Sequence, residues 1–431
     1  MNRRTSRRDF LKNTTLTAAG FWVSGISARA DSRSPNEKLN IAVIGVNNRG
    51  AANLQGVKSQ NIVALCDIDD NYLAAARKEF PRARTFNDWR RLGDHKGIDA
   101  VVISTTDHTH APASLMAMRL GKHVYCEKPL GHNVREARLV AETYRKTKVA
   151  TQMGTQIHAT DNYRRVVELV RSGAIGPVRE AHVWCERVSG PGKRPRQTPP
   201  VPAGLHWDLW LGPAPARPFN PCYLPGNLTW NRWWDFGNGT LGDMGSHLID
   251  LPFWALDLRH PATVEAEGPQ VDRDVCPAWM IVRWEHPARG NRPALKVAWY
   301  HGGKRPEAPE GVDLKKWGNG ILFVGDKGQL LADYDRRVLL PQDKFVEFEA
   351  PRPTIAASAG HYQEWIHACK TGAPTLCNFD YSGALVEHNL LGNVAYRVGK
   401  KLHWDPVHLK ATNCQEADAF IHREYRKGWA V

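Results

Sequence analysis

The 431 residues contain no run of about 18 consecutive apolar side chains, which argues against a membrane-spanning protein. Eight cysteines (66, 126, 185, 222, 276, 369, 377 and 414) include no C-x-x-C pair and no zinc-ligand spacing, which argues against a metal ribbon or a dithiol redox site. We read all eight as core or unpaired thiols, with Cys369 and Cys377 the one pair worth checking. No internal repeat or low-complexity tract is present, so fibrous and disordered classes are excluded. Negative charge is in deficit, with 44 Asp+Glu against 58 Lys+Arg and a formal net charge of +14. Residues 1–30 carry +5 of this and leave +9 for the remainder, spread along the chain without zinc-finger or aromatic RNA-binding patterns. The excess therefore reads as solubility rather than nucleic-acid binding. With 42% hydrophobic and 24% charged residues the composition is that of a globular protein, and the length suggests two or three domains.

The chain opens with Ser6-Arg7-Arg8-Asp9-Phe10-Leu11-Lys12, continues through a mildly apolar stretch from Thr14 to Ile26, and reaches Ala28-Arg29-Ala30. Paired arginines, apolar stretch and small-x-small site in that order resemble a twin-arginine export signal, the plainer alternative being a basic amphipathic arm. The expectation is a leader over 1–30, a linker over 31–38, and a mature protein that begins at Asp31 and works in the periplasm. That route carries proteins already folded, so a cofactor captured in the cytoplasm can travel along, and the thiols meet reducing conditions first.

Leu39 to Ile44 predicts a strand, Gly45-Val46-Asn47-Asn48-Arg49-Gly50 a tight turn, the stretch to Lys58 a helix, and Ile62 to Cys66 a second strand ending on Asp67. A dinucleotide site needs this order of strand, glycine turn, helix, strand and acid. The first glycine makes the turn, and the helix start offers N–H groups to a pyrophosphate. Asn47 replaces the middle glycine of G-x-G-x-x-G, and Asn tolerates left-handed backbone angles. Asp67, 22 residues past Gly45, is placed to accept bonds from ribose hydroxyls and to repel a 2′-phosphate, which favours NAD over NADP.

Ala100 to Ser104 predicts a further buried strand, followed by the polar loop Thr105-Thr106-Asp107-His108-Thr109-His110, a helix to Leu120, a strand from His123 to Cys126, and Glu127-Lys128-Pro129-Leu130. Strands alternating with helices imply a parallel sheet with ligands at its carboxyl edge, where both polar segments fall. His108 and His110 have no carboxylate partner on their loop and read as hydrogen-bonding residues rather than metal ligands, so no metal is expected.

Glu127-Lys128-Pro129 after such a half, with Gly242-Asp243-Met244-Gly245-Ser246-His247 further on, resembles the Gfo/Idh/MocA family of oxidoreductases over essentially all of residues 39–405. The resemblance implies an α/β plus α+β chain: a Rossmann dinucleotide-binding domain (39–150), then a domain on a large open, mostly antiparallel sheet with closing helices (151–405), leaving a tail over 406–431. It implies NAD or NADP acting on sugars, cyclitols or their derivatives, and a cis peptide at Lys128-Pro129 aiming the lysine at a substrate hydroxyl.

In the second half, helices are expected over Tyr163 to Ser172, Asp243 to Leu251, His361 to Lys370 and Tyr381 to Arg397, with a strand from Val178 to Arg187 and a short helix near Glu416 to Lys427. Residues 189–204, rich in Pro and Gly, read as a lid, rim or interface, or equally as a solvated insertion. Five of the sixteen tryptophans fall between His206 and Trp234. Trp207 and Trp210 are assigned to packing, Trp233 or Trp234 to a sugar-stacking surface or to core. Residues four apart share a helix face, so Asp243 and His247 point the same way, with Asp243 in the first helical turn where it suits the dipole. Asp250, three residues past His247, reads either as a partner that orients the imidazole or as a solvated carboxylate.

These readings converge on a nicotinamide-dependent oxidoreductase of a secondary hydroxyl. His247 is the base, with an ordinary pKa suited to the task; Asp243 holds or polarises it; Lys128 stabilises alkoxide-like charge. Cofactor contacts are expected from Gly45, Asn47, Arg49, Gly50, Asp67, Thr105, His110, Glu127, Lys128 and Gln156, and substrate contacts from Trp233, Trp234, Asp243 and His247. An exported enzyme that released NADH would stall. Either the nucleotide stays bound and is reoxidised by a second substrate, or the net reaction is redox-neutral, as in glycosidases of the family that pass through a transient keto sugar. A catalytically silent binding protein is the third possibility, disfavoured because it needs no such protonation chemistry. The partner expected is a small carbohydrate or cyclitol, and the assembly a homo-oligomer.

Overall fold

The computed structural model describes residues 37–188, 192–224 and 228–430, so the expected leader over 1–30 lies outside the described residues. From Glu37 onward the chain forms one compact unit.

The first half alternates strands and helices: β1 (Asn40–Ile44), α1 (Arg49–Val57), β2 (Asn61–Cys66), α2 (Asp70–Glu79), β3 (Arg84–Phe86), β4 (Ala100–Ile103), α3 (Asp107–Arg119), β5 (His123–Cys126), α4 (Val134–Thr147) and β6 (Thr151–Met153). The six strands form one sheet in the order β3-β2-β1-β4-β5-β6 with every pairing parallel. Successive strand side chains point to opposite faces. Ala42, Ile44, Val101, Ile103 and Val124 accordingly enter one core, while Ile41, Val43, Ala100, Val102 and Tyr125 enter the other. Burial on both faces explains why these strands read as continuous apolar runs. Each fully buried Val or Ile contributes roughly 1.5–3 kcal/mol relative to exposure.

The second half continues with α5 (Asp161–Arg171), β7 (Val178–Cys185), α6 (Trp207–Leu211), α7 (Gly239–Leu248), α8 (Asp250–Ala255), β8 (Thr263–Glu267), β9 (Met280–His286), β10 (Leu295–His301), β11 (Asn319–Gly325), β12 (Gly328–Ala332), β13 (Arg337–Leu340), α9 (His361–Thr371), α10 (Phe379–Val398), β14 (Leu402–Asp405), β15 (Lys410–Ala411) and α11 (Asp418–Ile421). Its nine strands form an open sheet in the order β13-β12-β11-β7-β10-β9-β8-β14-β15, antiparallel except for the central β7–β10 pair. Alternation recurs: Val183, Val297, Trp299 and Phe323 face the core shared with the helices, while Trp184, Tyr300 and Leu322 pack on the opposite face. The helix α10 lies against α4, α7 and β8 and so ties the two sheets together. The helix α9 returns to the first half, where Trp365 and Ile366 join the core that holds Ile41 and Val43.

Three local expectations change. A single helix from Asp243 to Leu251 is replaced by α7, which starts at Gly239, and α8, which starts at Asp250. Pro252 has no N–H to continue the first helix and is tolerated in the first turn of a new one. Asp243 consequently sits beyond the first turn of α7 rather than in it. Likewise α3 begins at Asp107, so His108 and His110 are buried on a helix and not on a loop. The cysteines are all unpaired, seven of them buried and Cys222 exposed. No helix among the described residues is long and apolar enough to cross a membrane.

Candidate active site

At the carboxyl edge of the first sheet, β1 delivers the chain into its glycine turn. Gly45 has φ +81°, and its N–H donates to the Cys66 carbonyl at 2.8 Å. A Cβ at Gly50 would lie 2.0 Å from the Gly45 carbonyl oxygen, so only glycine allows α1 to start this close to the turn. The left-handed residue is Asn48 (φ +49°) rather than Asn47. At the end of β2 the Asp67 carboxylate accepts from the N–H of Val46 at 2.9 Å and of Asp69 at 3.1 Å, fastening the turn to the second strand. Burial raises its pKa to about 6.

These residues open onto a cleft of about 450 Å³, lined from the first half by Gly45, Asn47, Arg49, Asp67 and Thr105 among others. The opposite wall comes from the second half, including Leu205, Trp210, Phe219 and Trp230. A glycine cradle that any Cβ would fill, a helix start and a ribose-side acid fit a dinucleotide.

Glu127, at the end of β5, anchors the inner side of the turn. One carboxylate oxygen accepts from Arg49 Nε at 2.8 Å, Asn53 Nδ2 at 3.1 Å and Gln156 Nε2 at 3.0 Å. Arg49, Glu127 and Gln156 thus form one network, with Glu127 and Gln156 behind the cleft wall. The Lys128–Pro129 peptide is cis, as the resemblance implies. His110 braces it, with Nδ1 2.6 Å from the Pro129 carbonyl oxygen and Nε2 3.0 Å from that of Thr105. It therefore supports the site from behind instead of touching a nucleotide. His108 likewise directs both ring nitrogens at carbonyls, those of Phe236 and Trp210. Among the described residues no group of three or more His, Cys, Asp or Glu could hold a metal ion.

Lys128 Nζ donates to Asp243 Oδ1, and Arg187 Nη1, just past the end of β7, donates to Asp243 Oδ2. Asp243 is buried, which works to raise its pKa, but Lys128 and Arg187 hold it below the usual carboxylate range. Asp243 therefore fixes the two cations; it does not hold His247 by a hydrogen bond and acts on that ring only through its charge. The imidazole is positioned by Thr155, whose Oγ1 lies 3.3 Å from His247 Nδ1 and donates its own proton to the Ser246 carbonyl at 2.9 Å. With the threonine proton committed, Nδ1 carries the hydrogen and Nε2 is left with its lone pair. Burial, and then the Lys128 charge, lower the His247 pKa to about 3, so the ring is neutral at any working pH, not poised near its ordinary value. Tyr334 borders the same space, its ring centroid 6.5 Å from that of His247.

Other assignments move. Asp250 pairs with His158 Nδ1 at 2.8 Å and accepts from the Tyr381 hydroxyl at 2.7 Å, all within the core, so it does not orient His247. Trp233 packs against Tyr223, and Trp234 donates from Nε1 to the Asp272 carbonyl at 3.1 Å; both are buried and neither offers a face to a sugar. Trp207 and Trp210 are stacked in the same aromatic cluster, 4.6 Å between centroids, although Trp210 also reaches the cleft wall. Arg187 and Thr155 were not singled out from sequence. Arg187 is nevertheless the last residue of a predicted strand, and Thr155 immediately precedes Gln156.

Residues 39–155 match the family model described as "Oxidoreductase family, NAD-binding Rossmann fold", and residues 169–295 match that described as "Oxidoreductase family, C-terminal alpha/beta domain". The chain belongs to the Gfo/Idh/MocA oxidoreductase family. It is 25% identical over 176 residues to the myo-inositol 2-dehydrogenase of Thermotoga maritima (40% of this chain, 52% of that protein) and 32% identical over 190 residues to a glycosyl hydrolase family 109 protein of Stenotrophomonas maltophilia (39% and 40%). The chain thus spans about half the length, or less, of these curated relatives. In fold it is similar to the WlbA dehydrogenase from Bordetella pertussis, solved with NADH and UDP-GlcNAcA (TM-score 0.60, 14% identity, 86% of this chain and 99% of that one).

Proposed function

We propose that this protein oxidises or reduces a secondary hydroxyl of a sugar, cyclitol or sugar derivative, using NAD in preference to NADP. The observation that carries the reading is the convergence of Lys128, His247 and the Asp243–Arg187 pair beside a dinucleotide cleft, joined to it through the Arg49–Glu127 bond. Gly45, Asn47, Arg49, Gly50 and Asp67 hold the nucleotide. A nicotinamide held there would supply the hydride acceptor or donor for the carbon that bears the reacting hydroxyl. Because its pKa is low, His247 Nε2 does not ionise the alcohol beforehand but accepts the hydroxyl proton as hydride leaves the carbon, when that proton becomes far more acidic, and the Lys128 ammonium stabilises negative charge on the oxygen. Asp243 keeps Lys128 oriented. The test is a panel of sugars and cyclitols added to protein loaded with NAD, following the absorbance of reduced nicotinamide. Failure of every member to reduce it would count against the reading.

A second reading is redox-neutral glycoside cleavage through a transient keto sugar, supported by the similarity to family 109 glycosyl hydrolases. Release of a chromogenic aglycone without added NAD would select it. We place the protein in the periplasm, exported by the twin-arginine route, on the strength of Arg7-Arg8 and Ala28-Arg29-Ala30. A homo-oligomer is supported by half-buried Ile281, Val324 and Val338 on the sheet face away from the helices, and light scattering tests it.

A further inference from the structure

The cleft has two walls of different origin. One is the glycine turn and the end of β2; the other is the segment 202–224, which contributes Pro202, Leu205, Trp210, Phe219 and Leu224. No dinucleotide motif requires this second wall. It is sewn along the edge of the first sheet: Asp70 N–H donates to the Gly204 carbonyl at 2.9 Å, His206 N–H donates to the Ile68 carbonyl at 2.8 Å, and the His206 ring lies 3.2 Å from the Asp70 carboxylate. All three contacts fall within three residues of Asp67, on the side where a ribose is expected.

The chain's last described stretch then fastens this segment from outside. Arg426 pairs with Asp208 of α6, donates from Nη2 to the Asp208 carbonyl at 2.7 Å and from Nε to that of Gly212 at 3.0 Å, and its own N–H donates to the Pro213 carbonyl at 3.2 Å. Two and three residues on, the same stretch grips the first half. Arg90 donates to the Gly428 carbonyl at 2.9 Å and lies 3.9 Å over the buried Trp429 ring, which in turn packs against Trp89 at 6.0 Å between centroids. Trp89 itself lines the cleft. Four residues therefore bridge α6, which carries the second wall, to the segment that follows β3.

We propose that residues 426–429 are a buckle that locks the segment 202–224 over the adenosine side of the dinucleotide, making the nucleotide a resident group that leaves only when the buckle opens. This rests on the dinucleotide reading and names the residues that control retention. Arg426 and Trp429 are positioning residues: they touch the wall and the first half, not the nucleotide. Opening is costly because it breaks a multidentate arginine and exposes a buried indole together, whereas release from a one-walled Rossmann cleft needs neither.

The test is nucleotide exchange. The full chain is purified with whatever nucleotide it carries or loaded with NAD, and release is timed by dilution into excess fluorescent etheno-NAD. Arg426→Ala and Trp429→Ala should speed exchange about tenfold or more, the loss of a few charge-assisted hydrogen bonds or of a buried aromatic contact. Asp208→Ala, an exposed side chain whose loss should leave folding intact, should speed it several-fold, and Trp429→Phe should restore most of the wild-type rate. Melting of the nucleotide-free protein is measured alongside, since a merely structural role lowers that temperature without a selective change in exchange. Wild-type exchange rates in Asp208→Ala and in a folded Arg426→Ala would overturn the buckle. A wild-type protein that neither carries nor binds any dinucleotide would instead overturn the reading beneath it.

Discussion

Lys128 stands between two groups it influences in opposite ways. Its charge holds Asp243 ionised and helps keep His247 neutral. Lys128→Ala should therefore lower turnover by about 10²- to 10⁴-fold, the scale of losing a positioned proton-transfer or charge-stabilising group. It should also raise the His247 pKa, read by NMR titration of the imidazole. His247→Ala should lower turnover similarly, and the double variant should lose much less than the product of the two, because both act on one proton. Nucleotide affinity should change little in either. Near wild-type turnover in Lys128→Ala would place the chemistry elsewhere. Asp67 makes a separate prediction. A ribose hydroxyl donates to the ionised carboxylate, whose pKa in the empty site is about 6. Affinity for NAD should rise as pH climbs through about 6 and level off above it, while Asp67→Asn should flatten the profile and narrow the preference over NADP. In the nucleotide-free protein the raised value means that stability linked to this group is present below about pH 4 and lost as pH rises through about 6. A pH-independent affinity would remove Asp67 from the ribose.

The helix α10 shows how the elements hold the site. Where it crosses α4, a Cβ at Gly383 would stand 2.8 Å from Ala141 Cβ and 2.9 Å from the Ala137 carbonyl oxygen. Contact this close fixes α4, and with it the turn after Pro129, against the helix that also packs on α7 and hence on Asp243 and His247. Gly383→Val should cost about 1–3 kcal/mol by overpacking, with Gly383→Ala milder, seen as a lower denaturant midpoint at unchanged slope. An unchanged midpoint would mean that the two helices do not depend on this approach. Most elements were legible because burial imposes a period: β1, β2, β4 and β5 lie within a residue of prediction, as does α9, and α5 and α10 lie within two, whereas the three-residue strands β3 and β6 are too short to show a period and were not predicted. The break between α7 and α8 was missed. Pro252 carries the signal for it, but Leu248, Ile249, Leu251 and Phe253 keep apolar side chains on both sides of Asp250 and the period alone does not show a restart.

At the scale of the molecule, two sheets share one core through α10, and the nucleotide cleft draws walls from both halves. The long Pro/Gly segment, left open between lid and insertion, reaches the cleft wall at Pro202 and Ala203. The export proposal belongs to this scale too, since a retained nucleotide suits passage across a membrane in the folded state. Cell fractionation with sequencing of the mature N-terminus should find Asp31 first and the protein in the periplasm. A cytosolic protein still beginning near Met1 would refute it.

By itself the sequence determined the strand and helix order, the glycine turn, the acid ending β2, and the Lys128-Pro129 and Asp243-x-x-x-His247 pieces, because each depends on residues a few positions apart, where covalent geometry sets which side chains share a face. Tertiary structure alone decided what those pieces touch. Arg187 reaches Asp243 across 56 residues, Asp250 turns to His158 across 92, and Arg90 meets Gly428 across 338. Trp233 and Trp234 look identical to exposed stacking residues in one dimension and are buried in three. Periodicity states that a face must be covered; it carries no information about which distant segment covers it. Sheet order and the crossing of α10 over α4 supply that partner, and with it the charges that tune the site.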